Sequence, residues 1–173
     1  MEPVNTALCG KNMIRIANKN DCQNLAALSI QVWLHTYATD GIRKEISNYV
    51  LSTFTEQSFV DLIEAPNSEI YVYIKKENLL GFIVVNLESF FKQESNGYEI
   101  CTFYVQEHFH GQGIGKNLLN EIKKNHGEIF WLSTWVHNTE AINFYKKYGF
   151  KDIGSVYFEL GDELHENRVL SYR

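Results

Sequence analysis

The chain has 173 residues, a formal net charge of −5, 45% hydrophobic residues and 21% charged residues. This length suits one domain with a substantial hydrophobic core. We interpret residues 1–12 as a flexible N-terminal tail and 13–173 as a single domain. An acidic chain without a basic cluster is a poor partner for a nucleic-acid backbone. A mildly acidic surface instead favours a small cationic substrate.

The cysteines and histidines form no recognisable metal or disulfide framework. Cys9, Cys22 and Cys101 are widely spaced and odd in number, so we expect reduced thiols in a cytoplasmic protein, with Cys101 buried in a strand. His108 and His110 have no third ligand at suitable spacing, so no metal is expected. No apolar run has the length to cross a membrane and no signal-peptide pattern is present, so no membrane partner is expected.

Apolar and polar side chains that alternate predict strands, and apolar residues three or four apart predict helices. In the first half of the chain these patterns predict a strand over 13–17, helices over 20–37, 42–51 and 55–64, and an antiparallel hairpin of strands 69–75 and 79–87. Asn20 is the predicted N-cap of the first helix, with Gln23 completing a box-like start. Trp33 and Tyr37 are neighbours on that helix. They are either core anchors or an aromatic wall of a substrate channel.

The second half of the chain continues the mixture of hairpins and crossovers. The patterns predict, in order, a loop over 90–97, a strand over 97–105, a helix from the following glycines to about 124, a strand over 128–135, a helix from Asn138 to Gly149, and strands over 151–160 and 167–172 joined by an acidic loop, 161–166. This order predicts an α/β (α+β mixed) domain. Its central sheet is mixed, mostly antiparallel, and covered by helices on both faces.

The turn after the strand that ends at Val105 is rich in glycine, with Gly111, Gly113 and Gly115. The first N–H groups of a helix have no partner inside the helix and carry the positive end of its dipole. Glycines at this place remove the side chains that would keep a ligand away from those amides. The turn therefore predicts a backbone seat for a phosphate or pyrophosphate.

Two common phosphate motifs do not fit this turn. A P-loop is broken by His110 and Asn117, and a dinucleotide fingerprint is broken by Lys116. The stretch instead resembles the acetyl-CoA loop of the GNAT superfamily of N-acetyltransferases, written Arg/Gln-x-x-Gly-x-Gly/Ala. Gly113 and Gly115 match its small positions, whereas His110 stands where the family has Arg or Gln.

A second motif, residues 138–150, is similar to the late GNAT signature Asn-x-x-Ala-x-x-Phe-Tyr-x-x-x-Gly-Phe at every fixed position. Both motifs occur in the family's order, one βα unit apart, and the chain is identified as a member of the superfamily on this basis. The segments 131–135 and 158–163 resemble more particularly the PaiA-type polyamine acetyltransferases.

The resemblance implies that acetyl-CoA is the co-substrate. The positions that correspond to the coenzyme site are Phe103, Tyr104, Val105, His110, Gly111, Gln112, Gly113, Ile114, Gly115, Lys116, Asn138 and Tyr145. Tyr145 is implied as the general acid that protonates the coenzyme sulfur, the alternative being a packed aromatic. Asn138 is a helix cap first and a coenzyme contact second.

Glu99 is the candidate general base, because family members often carry an acid at this place. Strand alternation predicts that Glu99 shares an apolar face with Cys101, Phe103 and Val105. The alternative is a solvated residue or an ion-pair partner.

The resemblance implies transfer of an acetyl group from acetyl-CoA to a primary amine, with a polyamine as the first choice and Trp33, Tyr37 and Trp135 as candidate substrate-binding residues. A protein N-terminus, a lysine or an aminoglycoside stays open as the acceptor. A non-catalytic acyl-CoA-binding regulatory module also stays open. A homodimer through the C-terminal strands is a further hypothesis.

Overall fold

The computed structural model describes residues 12–173, which fold around a seven-stranded mixed sheet in the order β1-β2-β3-β4-β5-β7-β6. The strands are β1 (Asn12–Ile16), β2 (Ser68–Lys75), β3 (Asn78–Asn86), β4 (Tyr98–Val105), β5 (Phe130–Trp135), β6 (Lys151–Leu160) and β7 (Glu163–Tyr172). The helices are α1 (Cys22–Tyr37), α2 (Lys44–Thr53), α3 (Glu56–Glu64), α4 (Ile114–His126) and α5 (Thr139–Tyr148). Neighbouring strands are antiparallel except β4 and β5, which run parallel. The predicted element order and mixed sheet are confirmed.

Helices bury apolar side chains on both faces of the sheet, as predicted. On one face, Leu118 and Ile122 of α4 pack with Tyr145 of α5 against the strands. On the other, Leu25 of α1 and Phe59 of α3 pack against β2 and β3. Full burial of one such side chain contributes about 1.5–3 kcal/mol relative to exposure. The sheet is thus packed between two helical layers, and β4 and β5 lie in its interior.

The first helix begins differently from the prediction, and Asn20 is not its cap. Asn18 caps a short 3-10 turn, with its side chain accepting from the Asn20 N–H at 3.0 Å. Asp21 completes a capping box by accepting from the Asn18 N–H at 2.8 Å. Arg15 holds the Asp21 carboxylate with two hydrogen bonds of 2.7 and 2.9 Å. This contact with β1 fixes the turn, and α1 starts at Cys22.

The predicted acidic loop over 161–166 is wrong. β6 and β7 are joined by only two residues, Gly161 and Asp162, and Leu160 pairs with Glu163. Gly161 has a φ of +60°, which suits the first central position of a type II′ hairpin turn. The charged residues that suggested a loop instead belong to β7, whose backbone pairs with β6. This pairing fixes the positions of Glu163 and His165.

The predicted tail covers residues 1–12, of which 1–11, including Cys9, lie outside the described residues. Asn12 belongs to β1. Cys22 and Cys101 are free thiols. None of the helices within residues 12–173 combines the length and apolarity needed to span a bilayer.

Candidate active site

A gap opens between β4 and β5 where the two parallel strands separate. Their pairing ends at Ile100 and Leu132, although both strands continue beyond these residues. On the β3 side, the Gln106 N–H donates to the Leu80 carbonyl at 2.9 Å. In this antiparallel register the N–H and C=O of Val105 point away from β3. They point into the gap, and Phe103, two residues earlier, has the same orientation.

A β-bulge at Cys101, where the gap opens, changes which side chains of β4 point to each face of the sheet. The register of β3 and β4 shifts between Val84 and Val85 and leaves Cys101 without a partner residue. One extra residue reverses the in-and-out alternation of a strand. Ile100 and Phe103, three residues apart, consequently both pack into the core beneath α4 and α5.

Glu99 therefore faces away from Phe103 and Val105, so the predicted shared face is wrong for these two residues. Cys101 does lie beside Glu99, as predicted. Its carboxylate accepts a hydrogen bond from the Ser89 hydroxyl. Glu99 pairs in register with Trp131, at the closed base of the gap. It thus lies on the face of β5 that carries Trp131, opposite the face covered by α4 and α5.

Cys101 is an exposed residue, whereas the sequence predicted a buried one, but neighbouring atoms surround its sulfur. Desolvation by the surrounding atoms, followed by the charge of Glu99, raises the pKa of this thiol to about 12. A thiol with such a pKa is almost entirely protonated at neutral pH. Cys101 is therefore unsuited to act as a nucleophile.

The glycine-rich turn places the N-terminus of α4 beside the gap. Gly111 and Gly113 have φ values of +75° and +79°, and a Cβ at either would meet only open space. Their role is conformational, because other residues adopt such angles at a cost. Gly115 serves packing instead, since its Cβ would lie 3.2 Å from Phe103 and 3.3 Å from Phe144.

No side chain among residues 12–173 caps this end of α4, whose N-cap is Gly113. The first amides of the helix therefore keep the donor capacity that a capping oxygen would otherwise use. With the helix dipole added, they form a seat for an anion. This uncapped end of α4 follows the free edge of β4 along the chain, and a phosphate seat there stays a prediction.

Tyr145 packs beside the gap from α5. Its ring is 7% exposed and lies 6.1 Å from the Phe103 ring and 5.3 Å from the Phe150 ring, centroid to centroid. Its hydroxyl has no hydrogen-bond partner within residues 12–173. Burial, and secondly Tyr37, raise the pKa of Tyr145 above that of an ordinary phenol. The packed-aromatic interpretation is thus correct, and the phenol also remains a candidate proton donor.

Asn138 caps α5, as predicted, with its side chain accepting from the Ala141 N–H at 3.1 Å.

A cavity of about 510 Å³ is lined by residues of α1, the α1–α2 connection, α2, β5 and the β6–β7 hairpin. The three predicted substrate-binding aromatics meet in its wall: Tyr37 lies 4.6 Å from Trp33 and 5.2 Å from Trp135, ring centroid to centroid. Burial raises the pKa of the Tyr37 phenol to about 12. We call this cavity the acceptor pocket, after the role proposed for it below. The remaining lining residues are Thr39, Asp40, Gly41, Ile42, Arg43, Ile46, Phe158, Leu160, Glu163 and His165.

Sequence reasoning missed the charged part of the acceptor pocket. Arg43, just before α2, binds Glu163 of β7 through two hydrogen bonds, one of them 2.7 Å long. This pair ties the α1–α2 connection to the β6–β7 hairpin. His165 lines the pocket nearby, and its Nε2 is enclosed without a hydrogen-bond partner, 3.5 Å from Glu163 Oε2. The dipeptide Gly161-Asp162 was the available signal, because it is typical of a two-residue hairpin.

The structure does not bring every candidate into one cavity. Glu99 and Tyr145 are absent from the lining of the acceptor pocket. His110 contacts the Val105 carbonyl with Nε2 at 2.9 Å and a Glu140 carboxylate oxygen with Nδ1 at 3.0 Å. Among residues 12–173, no three His, Cys, Asp or Glu side chains are grouped to hold a metal ion.

The sequence of the chain is similar to those of known acetyltransferases. The model of the acetyltransferase (GNAT) family matches residues 30–150. An uncharacterized N-acetyltransferase from the pepI 3′ region of Lactobacillus delbrueckii subsp. lactis is 25% identical over 94% of this chain and 97% of its own length. The spermine/spermidine N(1)-acetyltransferase of Bacillus subtilis is 25% identical, over 47% of this chain and 58% of its own length.

Solved structures show the same fold. PaiA N-acetyltransferase from Thermoplasma acidophilum, in complex with coenzyme A, superposes with a TM-score of 0.72 at 21% identity, over 91% of this chain and 98% of that one. Arabidopsis thaliana NAA60 with a bisubstrate analogue gives a TM-score of 0.69 at 20% identity, over 94% and 98%.

The chain belongs to the GNAT family of acetyltransferases. It is accordingly an acetyl-CoA-dependent N-acetyltransferase.

Proposed function

We propose that the protein transfers the acetyl group of acetyl-CoA to a primary amine of a small cationic molecule, with a polyamine as the first choice. The observation that carries this proposal is the acceptor pocket, in which aromatic rings and carboxylates surround one cavity. Ring faces attract a desolvated ammonium by about 0.5–2 kcal/mol each. Carboxylates add a longer-range attraction for the same charge.

The charges of the acceptor pocket favour a cation over an anion. Arg43 is neutralised by its pairing with Glu163, so Asp40 leaves a net negative lining. The partial match to a spermine/spermidine N(1)-acetyltransferase supports a polyamine in particular. A protein N-terminus, a lysine or an aminoglycoside remains the alternative acceptor.

The residues around the gap fit acetyl-CoA. The free backbone groups of Phe103 and Val105 offer an edge to which an arm containing secondary amides adds as a strand does. The uncapped N-terminus of α4, with Gly113 at its N-cap, suits a diphosphate. When bound there, the coenzyme supplies an activated acetyl thioester.

Glu99 is the proposed base, acting through water. It faces the side of β5 that carries Trp131, and Trp135 of the acceptor pocket lies on the same face because four residues separate the two tryptophans. Trp131 and Trp135 are about 13 Å apart along the strand. Glu99, which lies next to Trp131, is therefore too far from the acceptor pocket for direct contact with a substrate there. His165 is the second candidate base, since its enclosed Nε2 has no partner.

Tyr145 is the proposed acid at the thiolate that leaves. A phenol with an ordinary pKa near 10 lies above a thiol near 8.5, so full proton transfer is uphill by about 2 kcal/mol. Burial raises the pKa of Tyr145 and widens this difference. The same burial raises the pKa of a thiol released beside it, which narrows the difference again.

The test is release of free thiol from acetyl-CoA in the presence of spermidine, spermine, an N-terminal peptide, lysine and an aminoglycoside. We expect turnover with the polyamines that is lost in Tyr145→Phe. Comparing Glu99→Gln with His165→Gln over a range of pH identifies the base, because only removal of the true base abolishes the rise of kcat/KM with pH. Coenzyme binding without thiol release for every amine would support the regulatory module instead.

A further inference from the structure

His110 bridges two elements that border the gap. Its Nε2 lies 2.9 Å from the Val105 carbonyl oxygen at the end of β4. Its Nδ1 lies 3.0 Å from a carboxylate oxygen of Glu140, in the first turn of α5. Both partners are acceptors only, so both contacts are hydrogen bonds when both ring nitrogens carry hydrogen.

The bridge lies at the open end of the gap. β4 leads through the glycine-rich turn into α4, and β5 leads into α5, so a contact from Val105 to Glu140 joins the two sides that have separated. The Val105 carbonyl is also one of the few backbone acceptors that point into the gap, as the register with β3 requires. His110 thus covers a group that the proposed coenzyme arm needs.

We propose that His110 competes with the coenzyme for the edge of β4 and thereby lowers the affinity for coenzyme A. The inference rests on the coenzyme site proposed above. The imidazole donates to the Val105 carbonyl in the free protein, and an amide N–H of the arm donates to it in the complex. Binding therefore requires His110 to leave that carbonyl, and the free energy of its hydrogen bonds opposes binding.

A direct contact of His110 with a phosphate is the competing explanation, and the observed contacts disfavour it. Both ring nitrogens are already engaged with acceptors. The carboxylate of Glu140 lies beside the ring and offsets the charge that a protonated imidazole would present to an anion. The two explanations predict opposite effects when the imidazole is removed.

The experiment measures the dissociation constant of coenzyme A by calorimetry for the wild-type chain and His110→Ala. A hydrogen bond of ordinary net strength corresponds to about two- to tenfold in affinity, so we expect His110→Ala to bind coenzyme A more tightly by about that factor. ADP, which carries a diphosphate without the arm, is the second probe. Its affinity should not change, because the proposed competition involves only the arm.

His108→Ala is the matched control, since His108 is an exposed residue of the short 3-10 turn that His110 follows, and it is absent from the lining of the acceptor pocket. We expect no change in its affinity for coenzyme A. Weaker or unchanged binding in His110→Ala overturns the inference, as does equal tightening in His108→Ala or an equal effect on ADP. Absence of coenzyme binding in the wild-type chain would overturn the proposed coenzyme site as well, which distinguishes the two failures.

Discussion

The two halves of the candidate site differ in composition: one consists mainly of backbone groups and the other of side chains. The proposed coenzyme half consists largely of main-chain groups from one continuous stretch, from β4 through the first turn of α4. The proposed acceptor half consists of side chains contributed by α1, the α1–α2 connection, α2, β5, β6 and β7. A backbone site is encoded by glycines and by strand and helix boundaries, whereas a side-chain site depends on how distant elements pack. The predictions below test this division.

The largest effect is expected where the two halves meet. Tyr145→Phe removes the hydroxyl but keeps the packing of the ring against Phe103 and Phe150. Since a positioned general acid contributes about 10²–10⁴ in rate, we expect kcat to fall at least 100-fold with little change in KM. The measurement is thiol release under saturating acetyl-CoA and amine.

Tyr148→Phe is the control on the same helix. Its hydroxyl donates to Asn120 Oδ1 at 2.9 Å, away from the acceptor pocket. It should retain nearly full activity. Unchanged turnover in Tyr145→Phe would leave the ring with a packing role only.

A smaller effect, specific to the acceptor half, is expected from Trp135→Leu. The leucine keeps an apolar wall next to Tyr37 but removes a ring face that attracts an ammonium. We expect KM for spermidine to rise about tenfold, which corresponds to about 1.4 kcal/mol, while the affinity for coenzyme A stays constant. The same variant assayed with butylamine, which lacks a second cation, should show a smaller change. Equal changes for both amines would mean that the pocket does not recognise the second charge.

Gly113→Ala tests the coenzyme half through the backbone. Gly113 is left-handed at the N-cap of α4 and Gly149 is left-handed at the C-cap of α5, with room for a Cβ at both. Each substitution should lower the free energy of unfolding by about 1–2 kcal/mol, because a side chain disfavours this conformation. Only Gly113→Ala should also weaken coenzyme A binding, by severalfold. Urea unfolding and calorimetry measure the two quantities, and equal binding in both variants would argue against the backbone seat.

How far the sequence could predict each half follows from this division. The fold order and the glycine-rich turn were predictable because hydrophobic periodicity and Gly111 and Gly113 are local signals. The face of the sheet on which Glu99 lies was not predictable. The alternation argument assumes a regular strand, and the bulge at Cys101 reverses the alternation. A bulge of this kind depends on the pairing with β3, which lies outside the strand's own sequence.

The acceptor pocket shows the same limit more strongly. The contact between Trp33 and Tyr37 was predictable because the two residues are neighbours on one helix. The positions of Arg43 and His165 in the pocket were not predictable. They depend on a hairpin whose second strand begins with charged residues. No local pattern connects residues 43 and 163, although their ion pair borders the pocket.

The smallest effect concerns a pair outside both halves. Arg15 lowers the pKa of Asp21 through its hydrogen bonds and, to a lesser degree, its charge. A carboxylate whose pKa is lower in the folded state stabilises the fold above its unfolded pKa near 3.9, and this stabilisation is lost as the pH falls through the folded value. Asp21→Asn should therefore cost about 1 kcal/mol at pH 7, and the difference from wild type should shrink below about pH 4. Urea unfolding at both pH values measures this difference. The affinities for the coenzyme and the amine at pH 7 should be unchanged, because Asp21 joins β1 to the start of α1 and lies in neither half. A loss of either affinity would mean that the two halves are coupled to the edge of the sheet.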